Sequence, residues 1–307
     1  MIYLAKKKKS DSSSKKTTTK KPATKKPVEK KSKTKKEDPK VTESESKQTK
    51  KRMKVNFWRT KLHDEELGIH QQLKYQAKTR WFSKNFDIEG IVEIDGKKEY
   101  IIAYNKEEWE ETPKDKPKRL NLRLFTIMEE SLNVGKGGNY KGGVELSVAH
   151  SLLQTYELHK IAPIFYIQLP GLKSITQIAP GWRLKGTRFS WPLLPEEKGD
   201  KFQVIDAKGV VGLGNDYELF LGSKKVGRID GQRVQKEFEI EIYDANLAKD
   251  KTFIHTVILF ACAANFMGEI EDMIEELFKQ MEKTGTTDYR IPKAELDLFR
   301  NPRMMRR

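Results

Sequence analysis

The sequence predicts a mainly β domain whose strands enclose one hydrophobic helix near the C-terminus. Two patterns carry this prediction. Residues 253–267 read FIHTVILFACAANFM, with His255, Thr256 and Asn265 as the polar residues, and apolar side chains all around a helix are typical of one buried on every side. Residues 237–242, EFEIEI, alternate acidic and apolar side chains, which is the period of two of a strand with one wet face. A helix without a polar face must be surrounded by apolar side chains, and strands with one apolar face supply them.

The hydrophobic helix is placed at residues 252–268, between Lys251 and Glu269. Its 17 uncharged residues would span roughly 25 Å at about 1.5 Å per residue, short of the roughly 30 Å hydrocarbon core of a bilayer. A buried core helix is therefore preferred over a membrane span. The side chains expected to form this structural core are Phe253, Ile254, Val257, Ile258, Phe260, Ala261, Cys262 and Phe266.

Residues 1–54 form a low-complexity segment of Lys, Ser, Thr and Pro with almost nothing to bury, and this composition predicts a disordered tail. The segment has 21 basic and 6 acidic side chains, so it accounts for +15 of the formal net charge of +16. The run KPATKK at residues 21–26 resembles the tails of linker-histone-like proteins.

Two roles suit such a tail. It is either a solubilising leader or an electrostatic arm that binds a polyanion, with nucleic acid preferred over an anionic membrane surface. The lysines expected to contact the polyanion are Lys6, Lys7, Lys8, Lys9, Lys15, Lys16, Lys20, Lys21, Lys25, Lys26, Lys30, Lys31, Lys35 and Lys36.

Residues 55–80 are interpreted as an adaptor segment, with a short helical pattern that Gly68 weakens. His63, the acidic run 64–66 and His70 are residue types that bind metals. Their spacing matches no metal motif, and a solvated charged face is the preferred interpretation. The sequence therefore predicts no metal site, and it predicts no cofactor.

Short strand patterns occupy the region before the hydrophobic helix. Residues 91–94 and 100–104 flank Asp95-Gly96, a pair that supplies the positive φ angles of a tight hairpin turn. Residues 120–124, LNLRL, alternate leucine with polar residues, which predicts a half-buried strand.

Other patterns in this region are less regular. Residues 135–143, GKGGNYKGG, are expected to form a loop, without the spacing of a phosphate-binding loop. Residues 144–159 fit either a helix or a strand. Residues 202–205 predict a strand that ends in a turn at 206–209. Further strands are expected at 164–169, around Ile175, Trp182, Phe189 and Trp191, at 217–221 and at 226–229, the last two joined by residues 222–225.

After the hydrophobic helix, apolar residues recur at helical spacing, which predicts an amphipathic helix at residues 269–285. Gly268 is expected to mark the change from a fully buried helix to a one-sided one, and Gly285 to end it. Residues 286–307 form a polar, basic extension. The apolar stripe of this helix is a candidate surface for a protein partner, through Ile270, Ile274, Leu277 and Met281.

The order of these parts resembles a known superfamily. The runs YELFLGSKKVGRIDGQ, EFEIEIYDANLAKD and TFIHTVILFACAANFM are similar to the closing portion of LURP-one-related proteins, phospholipid scramblases and the tubby C-terminal domain. The steps Gly227-Arg228-Ile229 and Ala261-Cys262 are closest to scramblases. The resemblance implies a closed antiparallel barrel of about twelve strands around the helix, at residues 81–268.

The sequence favours three classes of function to different degrees. A non-catalytic binding or scaffold protein, with a polycationic arm for an anionic partner, is preferred. Membrane lipid binding or scramblase-like lipid handling, as the resemblance implies, comes second. Hydrolase or transferase chemistry comes last, because five histidines and one cysteine form no recognisable catalytic pattern.

The sequence also predicts where the protein resides. The start, MIYLAKKKKS, does not have the order of charged and apolar residues of a signal peptide. The one cysteine, Cys262, lies within the apolar run and suits a reducing compartment. An intracellular location, in the cytoplasm, nucleoid or nucleus, is therefore expected.

Overall fold

A computed structural model describes residues 48–57, 87–127, 140–172, 174–181, 183, 186–194, 202–210, 215–231 and 237–284. Within these ranges the chain forms twelve strands and four helices. The strands are β1 (Lys51–Phe57), β2 (Asp87–Ile94), β3 (Lys97–Tyr104), β4 (Asn121–Thr126), β5 (Tyr140–Leu146), β6 (Phe165–Gln168), β7 (Thr176–Pro180), β8 (Arg188–Leu193), β9 (Gln203–Gly209), β10 (Tyr217–Leu221), β11 (Lys224–Gly231) and β12 (Glu237–Ile242). The helices are α1 (Lys106–Glu111), α2 (Val148–Leu158), α3 (Lys251–Ala264) and α4 (Met267–Thr284).

The strands close into a barrel. Each strand pairs antiparallel with the next one along the chain, and β1 pairs with both β2 and β12. Across the closing seam, Met53 lies opposite Ile240 and Val55 lies opposite Phe238, so apolar side chains from both strands enter the same interior. The predicted fold, a closed antiparallel barrel of about twelve strands around a near-C-terminal helix, is confirmed.

The first strand corrects the predicted boundary between tail and domain. The prediction placed residues 1–54 in the tail, but β1 begins at Lys51 and is hydrogen-bonded on both sides. Met53, Val55 and Phe57 are fully buried in the interior. The sequence concealed this strand because its outward positions carry Lys, Arg and Asn, which continue the composition of the tail.

Some predictions concern residues outside the described ranges. They are the tail before residue 48, most of the adaptor with its histidines, Trp182, Gly285 and the extension 286–307.

Glycine makes the two tight hairpin turns. Asp95 and Gly96 have φ of 48° and 83°, and Gly222 has φ of 61°, values that suit primed turns. The β2–β3 hairpin is confirmed. The β10–β11 hairpin is also confirmed, although its turn is shorter than the predicted connection 222–225, because β11 already pairs with β10 at Lys224.

Strand β9 corrects the predicted turn at residues 206–209. It runs without interruption to Gly209 and pairs with β8 and β10. The side chain of Asp206, a residue common in turns, instead accepts hydrogen bonds from Arg188 and from Ser190 on β8, at 2.8 and 2.6 Å. These cross-strand bonds stabilise Asp206 in an extended backbone.

Two more regions differ from the prediction. Strand β4 was predicted to be half-buried, but its outward residues Asn121 and Arg123 are as buried as its leucines. The predicted loop at residues 135–143 contains the start of β5, which begins at Tyr140. Residues 144–159, whose pattern fitted either a helix or a strand, contain the end of β5 followed by α2.

The central helix, α3, fills the barrel. Asp250 caps its N-terminus by accepting hydrogen bonds from the backbone N–H groups of Thr252 and Phe253. All of its residues from Phe253 to Ala264 are buried. Phe260 alone contacts three aromatic rings of the wall: Phe189, Trp191 and Tyr217, with ring centroids 5.1 to 5.4 Å away. This burial confirms that the helix lies inside the barrel.

The end of α3 lies earlier than predicted. The helix was placed at residues 252–268, but it ends at Ala264, and α4 begins at Met267 after a bend of 63°. Gly268 lies inside α4 instead of marking the break. Phe266 occupies the bend and closes this end of the barrel through ring contacts with Phe57, Tyr104 and Trp109.

Helix α4 packs back on the chain through its apolar stripe. Ile270 and Ile274 are fully buried, Leu277 is 9% exposed, and Met281 is half-buried. In the first turn of α4, Glu269 accepts a hydrogen bond from Nε1 of Trp109, on α1, at 2.9 Å. The predicted partner surface is therefore wrong for Ile270, Ile274 and Leu277, because that face contacts the protein's own core.

We expect Ala261→Asp to lower the free energy of unfolding by at least about 4 kcal/mol, because it places a carboxylate among fully buried apolar side chains. Urea unfolding followed by tryptophan fluorescence measures the change. Ala245→Asp, at an exposed position before α3, is the matched control and should stay within about 0.5 kcal/mol of the parent. Equal unfolding midpoints for the two variants would contradict an enclosed helix.

We expect opposite effects from alanine at two glycines. A Cβ at Gly227 would lie 2.7 Å from the backbone oxygen of Glu241, whereas a Cβ at Gly268 would meet nothing within 4 Å. Gly227→Ala should therefore cost about 1–3 kcal/mol of stability, and Gly268→Ala should add about 0.4–1 kcal/mol. Thermal unfolding of both variants measures the difference, and a Gly227→Ala variant as stable as the parent would contradict the packing of β11 against β12.

Candidate polyanion interface

The two ends of the barrel differ in what they present. One end, here termed the arm-side end, consists of residues 48–51, 95–97, 222–224 and 243–251. It contains the start of β1, the β2–β3 and β10–β11 turns and the beginning of α3, because α3 follows directly on β12. The opposite end contains α1, α4 and the end of α3.

Six lysines of the arm-side end form what we term the basic rim. They lie on neighbouring parts of the barrel, from the β10–β11 turn through the β12–α3 connection and β1 to the β2–β3 turn. At about 4.8 Å between strands, the six strands β10 to β12 and β1 to β3 span an arc of roughly 24 Å. All of these lysines except Lys51 are exposed. The basic rim consists of Lys50, Lys51, Lys97, Lys224, Lys249 and Lys251.

The carboxylates of this end are bonded to the backbone. Asp95 accepts from the N–H of Arg52 at 3.1 Å, and Asp250 caps α3. Asp244 accepts from the N–H groups of Asn246 and Leu247. Its pKa is lowered mainly by the hydrogen bond from Lys224, at 2.8 Å. This end therefore carries more positive charge than its carboxylates balance.

Five of the six rim lysines make no ion pair within the part of the chain that the structure describes. They are Lys50, Lys51, Lys97, Lys249 and Lys251. The N-terminal end of α3 adds the positive end of a helix dipole to the same surface. The chemistry that this arrangement supports is the binding of phosphate or another anion by several separate ammonium groups.

The basic residues on the outer wall of β1, in contrast, are neutralised. Arg52 pairs with Glu241 and Lys54 pairs with Glu237, each at 2.9 Å. Partial burial works to raise the pKa of Glu241, but hydrogen bonds from Arg52 and Tyr243 lower it overall. Arg52 and Lys54 were counted in the tail, but they belong to the barrel and stabilise its closing seam.

The described segments at the opposite end of the barrel are acidic. Helices α1 and α4 together carry ten acidic and three basic side chains. The connection between α1 and β4, residues 112–120, carries four basic residues and one acidic residue. The net charge of α1, α4 and this connection together is therefore −4. Among the described residues, charge is therefore separated along the axis of α3.

A partly buried polar pair lies beneath the basic rim. The imidazole Nε2 of His255, on α3, lies 3.2 Å from the hydroxyl of Tyr100, on β3. Burial, with the positive charges of Lys141 and Lys251, lowers the pKa of His255 to about 4. Burial is also the main reason why the pKa of Tyr100 is raised. His255 is therefore neutral near pH 7, and the polar interruption that the sequence shows in the apolar run faces the barrel wall.

The residues predicted for the central helix are structural. Phe253 to Ala264 and Phe266 are buried as expected, and burial raises the pKa of the Cys262 thiol, which keeps it protonated. Within the described ranges, no group of three His, Cys, Asp or Glu side chains is placed to hold a metal ion.

The lysines predicted for anion binding, from Lys6 to Lys36, lie outside the described residues. The structure adds residues that sequence reasoning missed, namely the basic rim. Some of the rim lysines follow turn residues, as in Asp95-Gly96-Lys97, and this position predicts that they are exposed. That the six lysines lie near one another could not be predicted, because it depends on closure of the barrel. A second missed feature is an exposed apolar set at the end of β8 and the start of β9: Leu194, Phe202 and Val204, which are 43%, 63% and 40% exposed.

Comparisons with known proteins returned no match: no protein-family model, no curated protein and no solved structure is similar to this chain. A search of the described helices for membrane spans found none with sufficient length and hydropathy alone. Only α3 and α4 taken together pass that test, across their bend of 63°.

We expect the buried His255 to make stability depend on pH. In the unfolded chain its pKa is about 6.5, and in the folded protein it is lowered to about 4. Between these values the unfolded state binds a proton that the folded state does not, so stability is lost as the pH falls from about 6.5 towards 4. The loss between about pH 7 and 5 should be about 2 kcal/mol.

Urea unfolding at several pH values measures this loss. His255→Gln should flatten the dependence above about pH 5, where carboxylates contribute little. His159→Asn is the control, because His159 is exposed and has φ of 50°, a conformation that Asn tolerates. Parent and His255→Gln proteins with the same pH dependence would contradict the buried, neutral state of His255.

Proposed function

We propose that this chain is a non-catalytic binding protein in which the barrel carries a polycationic arm to a polyanion, with nucleic acid as the first candidate. The observation that carries the proposal is the distribution of charge. Residues 1–47, here termed the arm, contain 17 lysines and 6 acidic residues. They lead directly into β1, a strand paired on both sides.

The composition of the arm favours contacts with phosphates. No aromatic residue occurs between Tyr3 and Phe57, so the arm has no side chain on which bases could stack. Lysine binds phosphate as a point charge and carries no information about base sequence. Binding should therefore be blind to sequence and steeply dependent on salt, since each neutralised phosphate releases a counterion.

A second candidate function is attachment to an anionic membrane surface. It is favoured by the exposed apolar side chains Leu194 and Phe202, which border the same end of the barrel as the start of β1. The resemblance to scramblases and the tubby domain implies lipid handling as well. Salt weakens both kinds of binding, so salt dependence alone does not distinguish a membrane from a nucleic acid.

We expect the full chain to bind a short duplex DNA, with the logarithm of the binding constant falling linearly with the logarithm of salt concentration between about 50 and 200 mM. The slope should steepen by about 0.9 for each phosphate neutralised. A chain without residues 1–47 should lose most of this slope. Fluorescence anisotropy with labelled DNA measures both, and anionic and neutral vesicles are compared in parallel by co-sedimentation.

The outcomes separate the two candidates. Binding of DNA that disappears with the arm supports the proposal. Binding of anionic vesicles by the truncated chain, without binding of DNA by the full chain, supports the lipid candidate. A full chain that binds neither polyanion at low salt would show that the arm is only a leader.

We also expect the position of the truncation to matter. Removing residues 1–47 should leave the melting temperature unchanged, because β1 and its pairing remain. Removing residues 1–57 deletes β1, leaves β2 and β12 as open edges and takes three buried side chains out of the core. Circular dichroism and analytical ultracentrifugation should then show a protein that is unfolded or aggregated, and a monomeric, cooperatively folded 58–307 would contradict the role of β1.

A further inference from the structure

We propose that the basic rim is a second contact for duplex nucleic acid, so that the barrel docks end-on, with the arm-side end towards the duplex and the acidic end away from it. This inference rests on the proposed function of the arm. It adds a site on the folded domain and an orientation, neither of which the arm alone would provide.

Charge separation along the axis of α3 is the first observation. The arm-side end carries Lys50, Lys51, Lys97, Lys224, Lys249 and Lys251, while its three carboxylates are bonded to backbone N–H groups. Segments at the opposite end are net acidic. In the field of a polyanion, a body with this charge distribution has its lowest energy with the basic end facing the charge.

The dimensions of the basic rim are the second observation. Its arc of roughly 24 Å along the barrel end is much longer than the spacing of phosphate charges on a duplex, roughly 1.7 Å of helix axis, so several rim lysines can contact one duplex at the same time. The lysines are exposed and lie in or beside turns, so their side chains can reach a convex surface. The start of β1, to which the arm is joined in the chain, lies within the arc.

The third observation favours nucleic acid over a membrane at this surface. The rim covers the half of the barrel end formed by β10 to β12 and β1 to β3, whereas the exposed apolar residues Leu194 and Phe202 directly follow β8 and precede β9. A flat bilayer would lie against the whole end, including the half without rim lysines, whereas a rod-shaped duplex can follow the basic half alone.

The test uses the full chain with three rim lysines neutralised, K97Q/K249Q/K251Q. These lysines make no ion pair in the described ranges, so the variant should fold as the parent does. The matched control, K116Q/K160Q/K283Q, removes the same charge from exposed lysines of the opposite end. The rim variant should bind duplex DNA on the order of 100-fold more weakly at about 0.15 M salt, and its salt slope should be shallower by about 2.7. For the control, the salt slope should change by less than about 0.9, the value for one phosphate contact.

Orientation is tested separately by crosslinking. Cys262 is buried, so a thiol-reactive photocrosslinker attaches at an introduced cysteine. Ser223→Cys, in the β10–β11 turn of the arm-side end, should crosslink to DNA, whereas Thr284→Cys, at the end of α4, should not. Equal crosslinking from the two positions would overturn the end-on arrangement.

Failure of the inference differs from failure of the proposed function. If the rim variant binds DNA like the parent while the chain without residues 1–47 does not bind, the arm acts alone, and the rim inference is wrong while the proposed function stands. If the full chain does not bind DNA at all, both are wrong. If the rim lysines instead control binding to anionic vesicles, with no binding of DNA, the partner is a membrane and the inference is overturned.

Discussion

Burial of α3 inside the barrel is the interaction on which the rest of the structure depends. Twelve of its 14 residues are buried, and each large apolar side chain contributes about 1.5–3 kcal/mol when it is removed from water. The wall supplies the complementary surface, since every second residue of each strand points inward. Neither part is stable alone, because the helix would expose apolar side chains all around and the sheet would expose its inner face. The aromatic contacts of Phe260 in the middle and of Phe266 at the bend fix the helix along the barrel axis.

A filled interior directs any binding function of the described domain to its outer surface. On that surface, charged side chains have different partners at different places. Along the seam of β11, β12 and β1, Lys and Arg side chains pair with the glutamates of β12 and stabilise the closure. At the arm-side end, the aspartates bind backbone N–H groups, and only Asp244 also pairs with a rim lysine, Lys224, within the described ranges. The same residue types therefore stabilise the fold in one place and leave a positive potential in another.

The proposed binding mode follows from this distribution of charged side chains. An arm of separate ammonium groups contributes affinity without orientation, because a lysine binds phosphate as a point charge on a long stem. A rim of lysines on a rigid barrel adds direction, since the opposite end is acidic. The strand that joins the arm to the barrel is hydrogen-bonded on both edges and buries three side chains. The arm is therefore joined to a strand that is held firmly in the sheet.

The sequence by itself determined the mainly β class, the buried helix with nearly correct ends, both tight hairpins and the basic tail, because each depends on a local pattern of apolar spacing, turn residues or charge. It misplaced the start of β1, the course of β9 and the burial of β4. Those depend on partners distant in the chain: β12 beside Lys51, Arg188 beside Asp206, and Glu145 beside Asn121. Only the tertiary structure decided that the stripe of α4 is occupied by the protein's own core and that six separate lysines share one rim. Both facts arise when the barrel closes, since closure brings together residues that are up to about 200 positions apart in the chain.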